Sequence, residues 1–374
     1  MKPARLLLVG AGLANTLLAF RLLQKDPGTD LLLIDGAPGP RADRTWSFYE
    51  SDVEPHVWKW LEPLADQCWD GYDVKFPSYA RALDGSRYAS LKGETLLARA
   101  GLLEKVRWNT NVTKVEPGAV TLQDGSRLVA DAVVDGRGFL SPAEGTAGFQ
   151  KFFGQQLLLE KPHGLKRPVV MDATVPQIGG YRFFYLLPWD EKRLLVEDTY
   201  YADDATIDAS RLRAEIATYV STRGWSIAKV EGEESAALPI PLFSSGTHPS
   251  PWSVGTVGGL FHPVTGYSVP YAAAVAEAWN PLASDSAEKL WQLRQQLNRA
   301  HPFYRALNRM LFLAAKGHER RRIFEKFYRL PEPLVQRFYR GQSSLVDGAR
   351  ILSGRPPVPV APALKAMWRK EAAL

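Results

Sequence analysis

The sequence predicts an α/β protein with a Rossmann-like nucleotide-binding domain, a β-sheet substrate domain and a helical C-terminal region. An apolar run at residues 6–9 ends in Gly10, apolar residues then recur at helical spacing, and a second apolar run at 31–34 ends in Asp35. Strand, glycine turn, helix, strand and carboxylate in this order open a doubly wound domain. Short alternating strands follow, and helical periodicity dominates beyond about residue 285.

Length and composition exclude several classes of protein. The 374 residues suffice for two packed domains or for one domain with a large insertion, and 45% hydrophobic with 23% charged residues argue against disordered, collagen-like and coiled-coil chains. The single cysteine, Cys68, excludes a disulfide scaffold and a structural zinc cluster, and it favours a reducing cytosol. Prolines and glycines interrupt the longest uncharged stretch, residues 236–276, so no transmembrane helix is predicted.

The glycine turn after the first strand carries most of the dinucleotide-binding fingerprint. Gly10 and Gly12 allow a tight turn and the close approach of a pyrophosphate to a helix N-terminus, while Asn15 stands in place of the third glycine. Asp35 ends the second strand, where a carboxylate can bind a ribose hydroxyl. The alternative is an ordinary turn between a strand and a helix.

A second glycine turn favours FAD over NAD as the dinucleotide. Residues 106–134 have the alternation and turn signals of a β-meander, and they end in an apolar strand followed by Asp135, Gly136 and Gly138. This order is typical of hydroxylase-type flavoproteins. We therefore expect an FAD-binding domain over residues 1–150 with a helical insertion at about 50–100, a β-sheet substrate domain over 151–245, a return to the FAD-binding domain over 246–285, and a helical region over 286–374.

Two adjacent carboxyl groups lie on a predicted strand. Glu197 and Asp198 must point to opposite faces, because side chains alternate along a strand. Both could lie in solvent at a strand end. However, aromatic residues such as Phe183 and Tyr185 surround them in sequence, and a carboxyl group buried among such residues keeps its proton and can act as a general acid.

A third segment, residues 261–270, precedes an alanine-rich stretch with the character of a helix. Its His262, Gly266 and Tyr267 would either contact a cofactor from a glycine loop or form a structural loop that caps the helix. A lone histidine in such a position is more often structural than catalytic.

Taken together, these segments resemble the bacterial lycopene β-cyclase family of flavoproteins along nearly the whole chain. The matching segments are residues 10–15, 44–48, 135–138, 153–155, 183–188, 195–200, 262–268 and 327–330. Three departures are visible: Arg44 stands where the family usually has histidine, Val264 where it usually has threonine, and residues 254–256 lack the Gly-Asp pair of related flavoproteins.

The resemblance implies an enzyme of carotenoid biosynthesis that closes the acyclic ends of lycopene into β-ionone rings, through γ-carotene to β-carotene. It implies FAD in its reduced form, with NADPH or NADH as electron donor, and no net redox change. Glu197 would supply the proton, and Asp198 would support it or share its proton.

The resemblance also implies the remaining site residues and no metal. Residues expected to bind the cofactor are Gly10, Gly12, Asn15, Asp35, Arg44, Asp135, Gly136, Gly138, His262 and Gly266. Residues expected to bind the substrate are Trp46, Phe183, Tyr185 and Tyr267.

Lycopene dissolves in bilayers, so the resemblance further implies a cytoplasmic enzyme peripherally associated with the inner face of the cell membrane, with other carotenoid-biosynthesis enzymes as partners and no nucleic acid. Much of the net charge of +6 lies within residues 316–340, where aromatic residues alternate with basic ones. This stretch could contact anionic lipid, or it could be a solvated helical surface whose aromatic residues belong to the core.

Two other functions fit the same motifs. A monooxygenase or isoprenoid reductase acting on a lipophilic substrate would use the flavin for net redox chemistry, so its product would change in mass. If the protein were a carotenoid carrier without catalytic activity, replacement of Glu197 would leave its binding of carotenoids unchanged.

Overall fold

Parallel and antiparallel sheets are combined in this chain, for which a computed structural model describes residues 5–138, 145–244, 250–354 and 359–369. The strands are β1 (Arg5–Val9), β2 (Asp30–Ile34), β3 (Thr45–Tyr49), β4 (Gln67–Trp69), β5 (Tyr72–Phe76), β6 (Tyr79–Leu83), β7 (Tyr88–Lys92), β8 (Val106–Arg107), β9 (Val112–Glu116), β10 (Ala119–Leu122), β11 (Arg127–Val129), β12 (Ala132–Asp135), β13 (Ala147–Leu159), β14 (Val169–Asp172), β15 (Tyr181–Pro188), β16 (Arg193–Ala202) and β17 (Ile227–Pro241).

Helices cover the sheets and form the C-terminal region. They are α1 (Leu13–Lys25), α2 (Pro55–Leu61), α3 (Gly93–Arg99), α4 (Ala209–Thr222), α5 (Val269–Ala278), α6 (Ser286–Leu297), α7 (His301–Arg309), α8 (Arg320–Tyr328), α9 (Glu332–Tyr339), α10 (Leu345–Leu352) and α11 (Val360–Met367). A π-helical turn, Met310–Ala314, continues α7.

The predicted Rossmann-like opening is confirmed. Strands β12, β1, β2 and β8 form a parallel sheet in that order, and α1 connects β1 to β2. Strands β1 and β12 are almost fully buried because helices α1 and α5 cover one face of the sheet and the β-meander covers the other, which explains their continuous apolar sequences. Helix α5 packs against α1, and Ser253 forms a parallel bridge to Asp135, so the chain returns to this sheet after the intervening domain. The β-meander is also confirmed, as the antiparallel sheet β11-β10-β9.

The prediction of a helical insertion at residues 50–100 is wrong for most of that segment. Only α2, α3 and two short 3-10 turns are helical there. Strand β7 pairs with β3 on one side and with β4 on the other, and β5 and β6 extend the large sheet. Tyr72, Val74 and Phe76 are buried at alternate positions of β5. This period of two indicates a strand, but it extends over only five residues, so the helical interpretation of the longer segment missed it.

The large sheet has seven strands in the order β17-β13-β16-β15-β14-β5-β6. It is antiparallel except where β14 pairs with β5, and the predicted hairpin of β15 and β16 is confirmed. Helix α4 covers one face with an apolar cluster that includes Leu212, Ile216 and Phe184. The expected domain boundary after residue 150 falls inside the continuous strand β13, and the one after residue 245 lies outside the described residues.

Helices α6 to α11 confirm the predicted helical C-terminal region, but the basic stretch 316–340 is not an aromatic surface. Its Phe324, Phe327 and Tyr339 pack against the core, and Phe338 and Tyr328 are buried. Arg320 of α8 is 1% exposed and donates hydrogen bonds to the carbonyl oxygens of Leu311 (3.1 Å), Phe312 (3.3 Å) and Tyr201 (3.1 Å). The alternative interpretation of this stretch, core aromatic residues on ordinary helices, is therefore the correct one.

A group of exposed apolar side chains lies further along, on α10, on α11 and at the C-terminal end of α11. Leu345 is 94% exposed, Val346 77% and Trp368 79%, and three further apolar residues on these helices, Leu352, Val360 and Leu364, are also exposed. None of the helices in the described ranges is long and apolar enough to cross a membrane.

Candidate active site

A single cavity of about 680 Å³ connects the glycine turn of the parallel sheet to the inner face of the large sheet. One end is lined by Gly10, Gly12 and Asp35, and the other by Glu197 and Tyr267. The two sites predicted separately from the sequence therefore form one continuous site, lined by both sheets.

The glycine turn exposes the N-terminus of α1 to this cavity. Gly10 has a φ of +93°, and a Cβ there would lie 3.1 Å from the carbonyl oxygen of Gly136. Gly12 precedes α1 with no side-chain cap and no acidic residue in the first turn, and a Cβ added to it would meet nothing within 4 Å. Unpaired amide groups at such a helix end attract an anion, so this geometry suits a pyrophosphate.

Asp35 lines the cavity in a fixed orientation. Its carboxylate accepts hydrogen bonds from the amides of Ala11 (2.7 Å) and Ala37 (2.8 Å). Each oxygen of a carboxylate has two lone pairs, so Asp35 can still accept a bond from a ribose hydroxyl. Asp35 therefore lies where the sequence predicts, at the end of the second strand and beside the glycine turn.

Asn15 has a different position from the expected one. Its side-chain amide donates to the carbonyl oxygens of Val9 (2.9 Å) and Gly10 (2.8 Å), and it is fully buried. A Cβ on Gly136 would lie 2.5 Å from the Asn15 Nδ2 atom. Among the described residues, the cavity wall includes its neighbours but not Asn15, which instead fixes the glycine turn against the second turn.

The second glycine turn contributes its backbone and an arginine. Gly136, Arg137 and Gly138 line the cavity. Asp135, which we expected to contact a cofactor, is buried behind them and binds Arg137 through two hydrogen bonds of 2.9 and 2.8 Å. It therefore orients Arg137 and is not part of the wall described here.

Most of the other predicted contacts do line the cavity. Gly266 has a φ of +67°, which favours glycine, and a Cβ there would lie 2.8 Å from Leu238 Cδ1, so a larger side chain would displace that leucine. Arg44 is half-buried, and burial lowers the pKa of its guanidinium although Asp43 opposes that effect. The aromatic lining residues are Trp46, Phe183, Tyr185 and Tyr267, as predicted, together with Tyr49, Tyr88, Phe152, Tyr201, Tyr339 and Trp108.

His262 does not line the cavity, because its side chain is buried among aromatic residues of the C-terminal helices. Its ring packs against Tyr304 and Phe338, at centroid distances of 4.6 and 5.1 Å, and Nδ1 accepts a bond from the amide of Val264 (3.2 Å). Burial lowers the pKa of His262 to about 3, so it is neutral at pH 7. Of the two interpretations of residues 261–270, the structural loop is correct for His262, whereas Gly266 and Tyr267 line the cavity.

Glu197 is the buried carboxyl group on the inner face of the large sheet. It is 8% exposed and accepts a hydrogen bond from the Thr199 hydroxyl at 2.6 Å. Tyr185 lies directly opposite on β15. Burial raises the pKa of Glu197 to about 8, and the nearby Glu234 adds to this effect. At pH 7 this side chain holds a proton that it can give to a bound molecule.

Asp198 faces the opposite side of the sheet, so it is not next to Glu197 in the cavity. Arg182 donates to both of its oxygens at 2.8 Å, and the Tyr200 hydroxyl donates at 3.0 Å. Burial alone would lower the pKa of Arg182, but its bonds to Asp198 raise it, and Arg182 also binds Glu215 of α4. The expectation that Asp198 shares a proton with Glu197 conflicts with this geometry.

Two buried carboxyl groups were missed in the sequence, Glu234 in the cavity wall and Asp52 behind Tyr267. Glu234 on β17 is 4% exposed and accepts a bond from the Thr45 hydroxyl (2.7 Å), and burial raises its pKa to about 7. Asp52 accepts a bond from the Tyr267 hydroxyl, and burial raises its pKa to about 7. Alternation along β17 could have indicated that Glu233 and Glu234 face different sides, but the partner strands were needed to choose between them.

The arrangement is that of a Rossmann-like α/β protein whose glycine turn shares a cavity with a buried carboxyl group, and its fold occurs in other solved structures. A halogenase PltM mutant in complex with FAD has a TM-score of 0.61 at 13% identity, covering 90% of this chain and 82% of that one. A geranylgeranyl bacteriochlorophyll reductase-like protein from Thermoplasma acidophilum has a TM-score of 0.58 at 13% identity, covering 94% and 96%.

The family is shown by the sequence comparisons. A family model described as lycopene cyclase protein matches residues 5–365. The chain is 44% identical to a lycopene β-cyclase of Pseudescherichia vulneris, with 96% of each chain covered, and 42% identical to one of Pantoea ananas, with 97% of each covered. This chain therefore belongs to the lycopene cyclase family.

The buried ion pair behind the sheet yields a prediction about stability. Asp198→Asn removes the fully buried one of the two charged partners of Arg182, so we expect the free energy of unfolding to fall by about 3 kcal/mol. Glu215→Gln removes the half-exposed partner of the same arginine and should cost less than about 1 kcal/mol. Urea unfolding of the two variants measures both values, and equal losses would contradict this account.

Proposed function

We propose that this protein is a lycopene β-cyclase, which closes the acyclic ends of lycopene into β-ionone rings to give γ-carotene and then β-carotene. The observation that carries the proposal is the buried carboxyl group of Glu197 inside an aromatic cavity that also reaches the glycine turn after β1. The names of the relatives with 40–44% identity support the choice of substrate.

Glu197 would start the reaction as a general acid. It gives its proton to the terminal C1=C2 double bond, and the C5=C6 double bond attacks the resulting tertiary cation. Loss of the C6 proton then completes the β-ring. The product has the formula of the substrate, so no electrons are consumed and one proton is returned for each one used.

The aromatic wall would protect this cation. Phe183, Tyr185, Trp46 and Tyr267 line the cavity and limit the access of water, which would otherwise trap the cation as an alcohol. An aromatic face contributes about 0.5 to 2 kcal/mol to the binding of a cation, more when water is excluded. The Tyr185 hydroxyl is held by Ser47 (2.6 Å) and Tyr88 (2.8 Å), so its ring has a fixed orientation beside Glu197.

FAD fits the dinucleotide end of the cavity. The open space at Gly12, the uncapped amides of α1 and the oriented carboxylate of Asp35 would bind its pyrophosphate and ribose. Gly136, Gly138, Gly255 and Gly266 line the route toward Glu197. When bound in its reduced form, with NADPH or NADH as the donor, FAD supplies negative charge that stabilises a nearby cation.

The exposed apolar residues of α10 and α11 would dock the enzyme on the inner face of the cell membrane, where lycopene dissolves. Both helices pack on α7: Gly348 lies against Phe303, and Arg309 donates to the carbonyl oxygens of Ala366 and Met367. Exposed Arg350, Lys365 and Arg369 accompany the apolar residues, a combination that suits anionic lipid.

The acid is tested in lycopene-accumulating bacteria. We expect Glu197→Gln to lower cyclisation by at least about 100-fold, because general acid catalysis contributes roughly 10²- to 10⁴-fold, while FAD remains bound.

The pH dependence of the wild-type protein gives a second test. Its rate of cyclisation should fall as the pH rises above about 8, where Glu197 loses its proton. Chromatography and mass spectrometry of the pigments measure the products.

The matched control for the acid is Glu233→Gln, which removes a carboxyl group from the outer face of β17 and should leave conversion unchanged. Accumulation of β-carotene by the Glu197→Gln variant would contradict the assignment of the acid. A product altered in mass by hydrogen or oxygen would instead support the monooxygenase or isoprenoid reductase alternative.

The dinucleotide site is tested by adding a charge at its entrance. Gly12→Asp places a carboxylate where a pyrophosphate would lie, so FAD affinity should fall at least about tenfold. The same aspartate is a favourable N-cap, so the free energy of unfolding of the FAD-free protein should not decrease. Flavin fluorescence titration measures the affinity, with Gly118→Asp on the distant β-meander as control. Equal FAD affinity of the Gly12→Asp and Gly118→Asp variants would refute the placement of the FAD pyrophosphate at Gly12.

Membrane docking is tested with vesicles that contain phosphatidylglycerol. Replacing Leu345, Val346 and Trp368 together by serine should lower the fraction of protein that sediments with the vesicles at least about tenfold. The control replaces Val129 and Ile178, which are 64% and 52% exposed elsewhere, by serine. Equal sedimentation of the two variants would place the membrane contact on another surface.

A further inference from the structure

Two buried glutamates enter the cavity on either side of Gly154. This glycine of β13 is paired with Glu197 of β16 on one side and with Glu234 of β17 on the other. Both glutamates line the same cavity, so they project from the same face of the sheet. Adjacent strands are about 4.8 Å apart, which places the backbones of the two glutamates about 10 Å apart, with only Gly154 between them.

Gly154 creates the space that the two carboxyl groups share. It belongs to an extended strand whose backbone any residue can adopt, so its conformation does not require glycine. A Cβ at this position would lie 3.3 Å from Cγ of Glu234, 3.4 Å from Cβ of Glu197 and 3.1 Å from Cδ1 of Leu195. A larger side chain would therefore separate the two carboxyl groups.

The surroundings of the two glutamates differ in charge. The titratable groups that influence Glu197 are acidic or neutral, whereas Glu234 lies near two cations and one further acid. The groups around Glu197 are Glu234, Asp198 and Tyr185, and those around Glu234 are Arg44, Lys92 and Asp43. The cations favour an ionised Glu234, so Glu234 gives up its proton before Glu197 does. The values of about 7 and about 8 for their pKa agree with this order.

We propose that Glu234 is a positioning residue for the cyclisation: its carboxylate, held by Thr45, keeps the acidic proton on Glu197 across the gap at Gly154. The inference rests on the proposed function for its role in catalysis. When Glu197 gives its proton to the terminal alkene carbon, two negative carboxylates remain in one buried space. Their repulsion favours the uptake of one proton by the pair, which balances the proton released from the ring carbon C6.

The test compares the pH dependence of cyclisation in Glu234→Gln with that in the wild type, using the flavin-loaded full chain and lycopene in vesicles. Loss of the Glu234 charge should move the high-pH decline of kcat to lower pH by about one unit, a loss of about fivefold at pH 8, with KM unchanged. Glu234→Asp retains the charge and should restore most of the wild-type profile. Glu233→Gln, one residue away on the outer face, should have the wild-type profile.

A second measurement does not need the substrate. A folded state that holds a proton on Glu197 loses stability as the pH rises from the ordinary glutamate pKa of 4.5 to about 8. In Glu234→Gln this loss should end at lower pH, and Gly154→Ala should shift it in the same direction by a smaller amount. Urea unfolding between pH 4 and 9 measures the shift.

The inference would be overturned if Glu234→Gln had the wild-type pH profile both in cyclisation and in urea unfolding. It would also be overturned if Glu233→Gln shifted these profiles as much as Glu234→Gln does. If the unfolding profile shifts as expected but the wild-type enzyme converts no lycopene, the carboxyl pair is supported and the proposed function is refuted. If the Glu234→Gln variant does not fold, the pH dependence of unfolding of Gly154→Ala tests the inference instead, because that variant retains both carboxyl groups.

Discussion

The register of β16 between β13 and β15 determines the chemistry of this site. It directs Glu197 into the cavity and Asp198 to the opposite face, where Arg182 and Tyr200 bind it. A shift of β16 by one residue would exchange the faces of the two carboxyl groups and move Asp198 into the cavity, away from Arg182 of β15. The ion pair therefore does more than bridge the sheet to α4: it disfavours the alternative register, since that register would break both hydrogen bonds between Arg182 and Asp198.

The site is assembled from segments that are far apart in sequence. The glycine turn follows β1, the second turn follows β12, and residues 255–267 return to the cavity after the whole β-sheet domain. Asn15 connects the first two segments by filling the space beside Gly136, and α5 holds the third against α1. The acid and the dinucleotide turn are thus kept at a fixed separation by packing between distant parts of the chain, with each sheet contributing one end of the cavity.

Local periodicity was sufficient to predict the elements that obey it, including the β1-α1-β2 opening and the β15-β16 hairpin. It failed for residues 50–100, where β5 and β6 depend on pairing with β14, about 100 residues away. The same limit applies to the site. Alternation places Glu197 and Asp198 on opposite faces but cannot identify the inner one, and Glu234 joins Glu197 only through the pairing of β13 with both neighbours. His262 was misplaced because its motif does not specify that Tyr304 and Phe338, from distant helices, would enclose it.

The buried guanidinium of Arg320 has a consequence for how the molecule can move. It joins α8 to the carbonyl oxygen of Tyr201 in the strand that bears Glu197, and also to the π-helical turn that carries Leu311 and Phe312. A hinge between the C-terminal helices and the sheet would have to break the bond to Tyr201 and the ion pair of Arg320 with Asp203, which follows β16. These bonds of a buried charge resist such a hinge, so they favour entry of the substrate through the motion of side chains and loops.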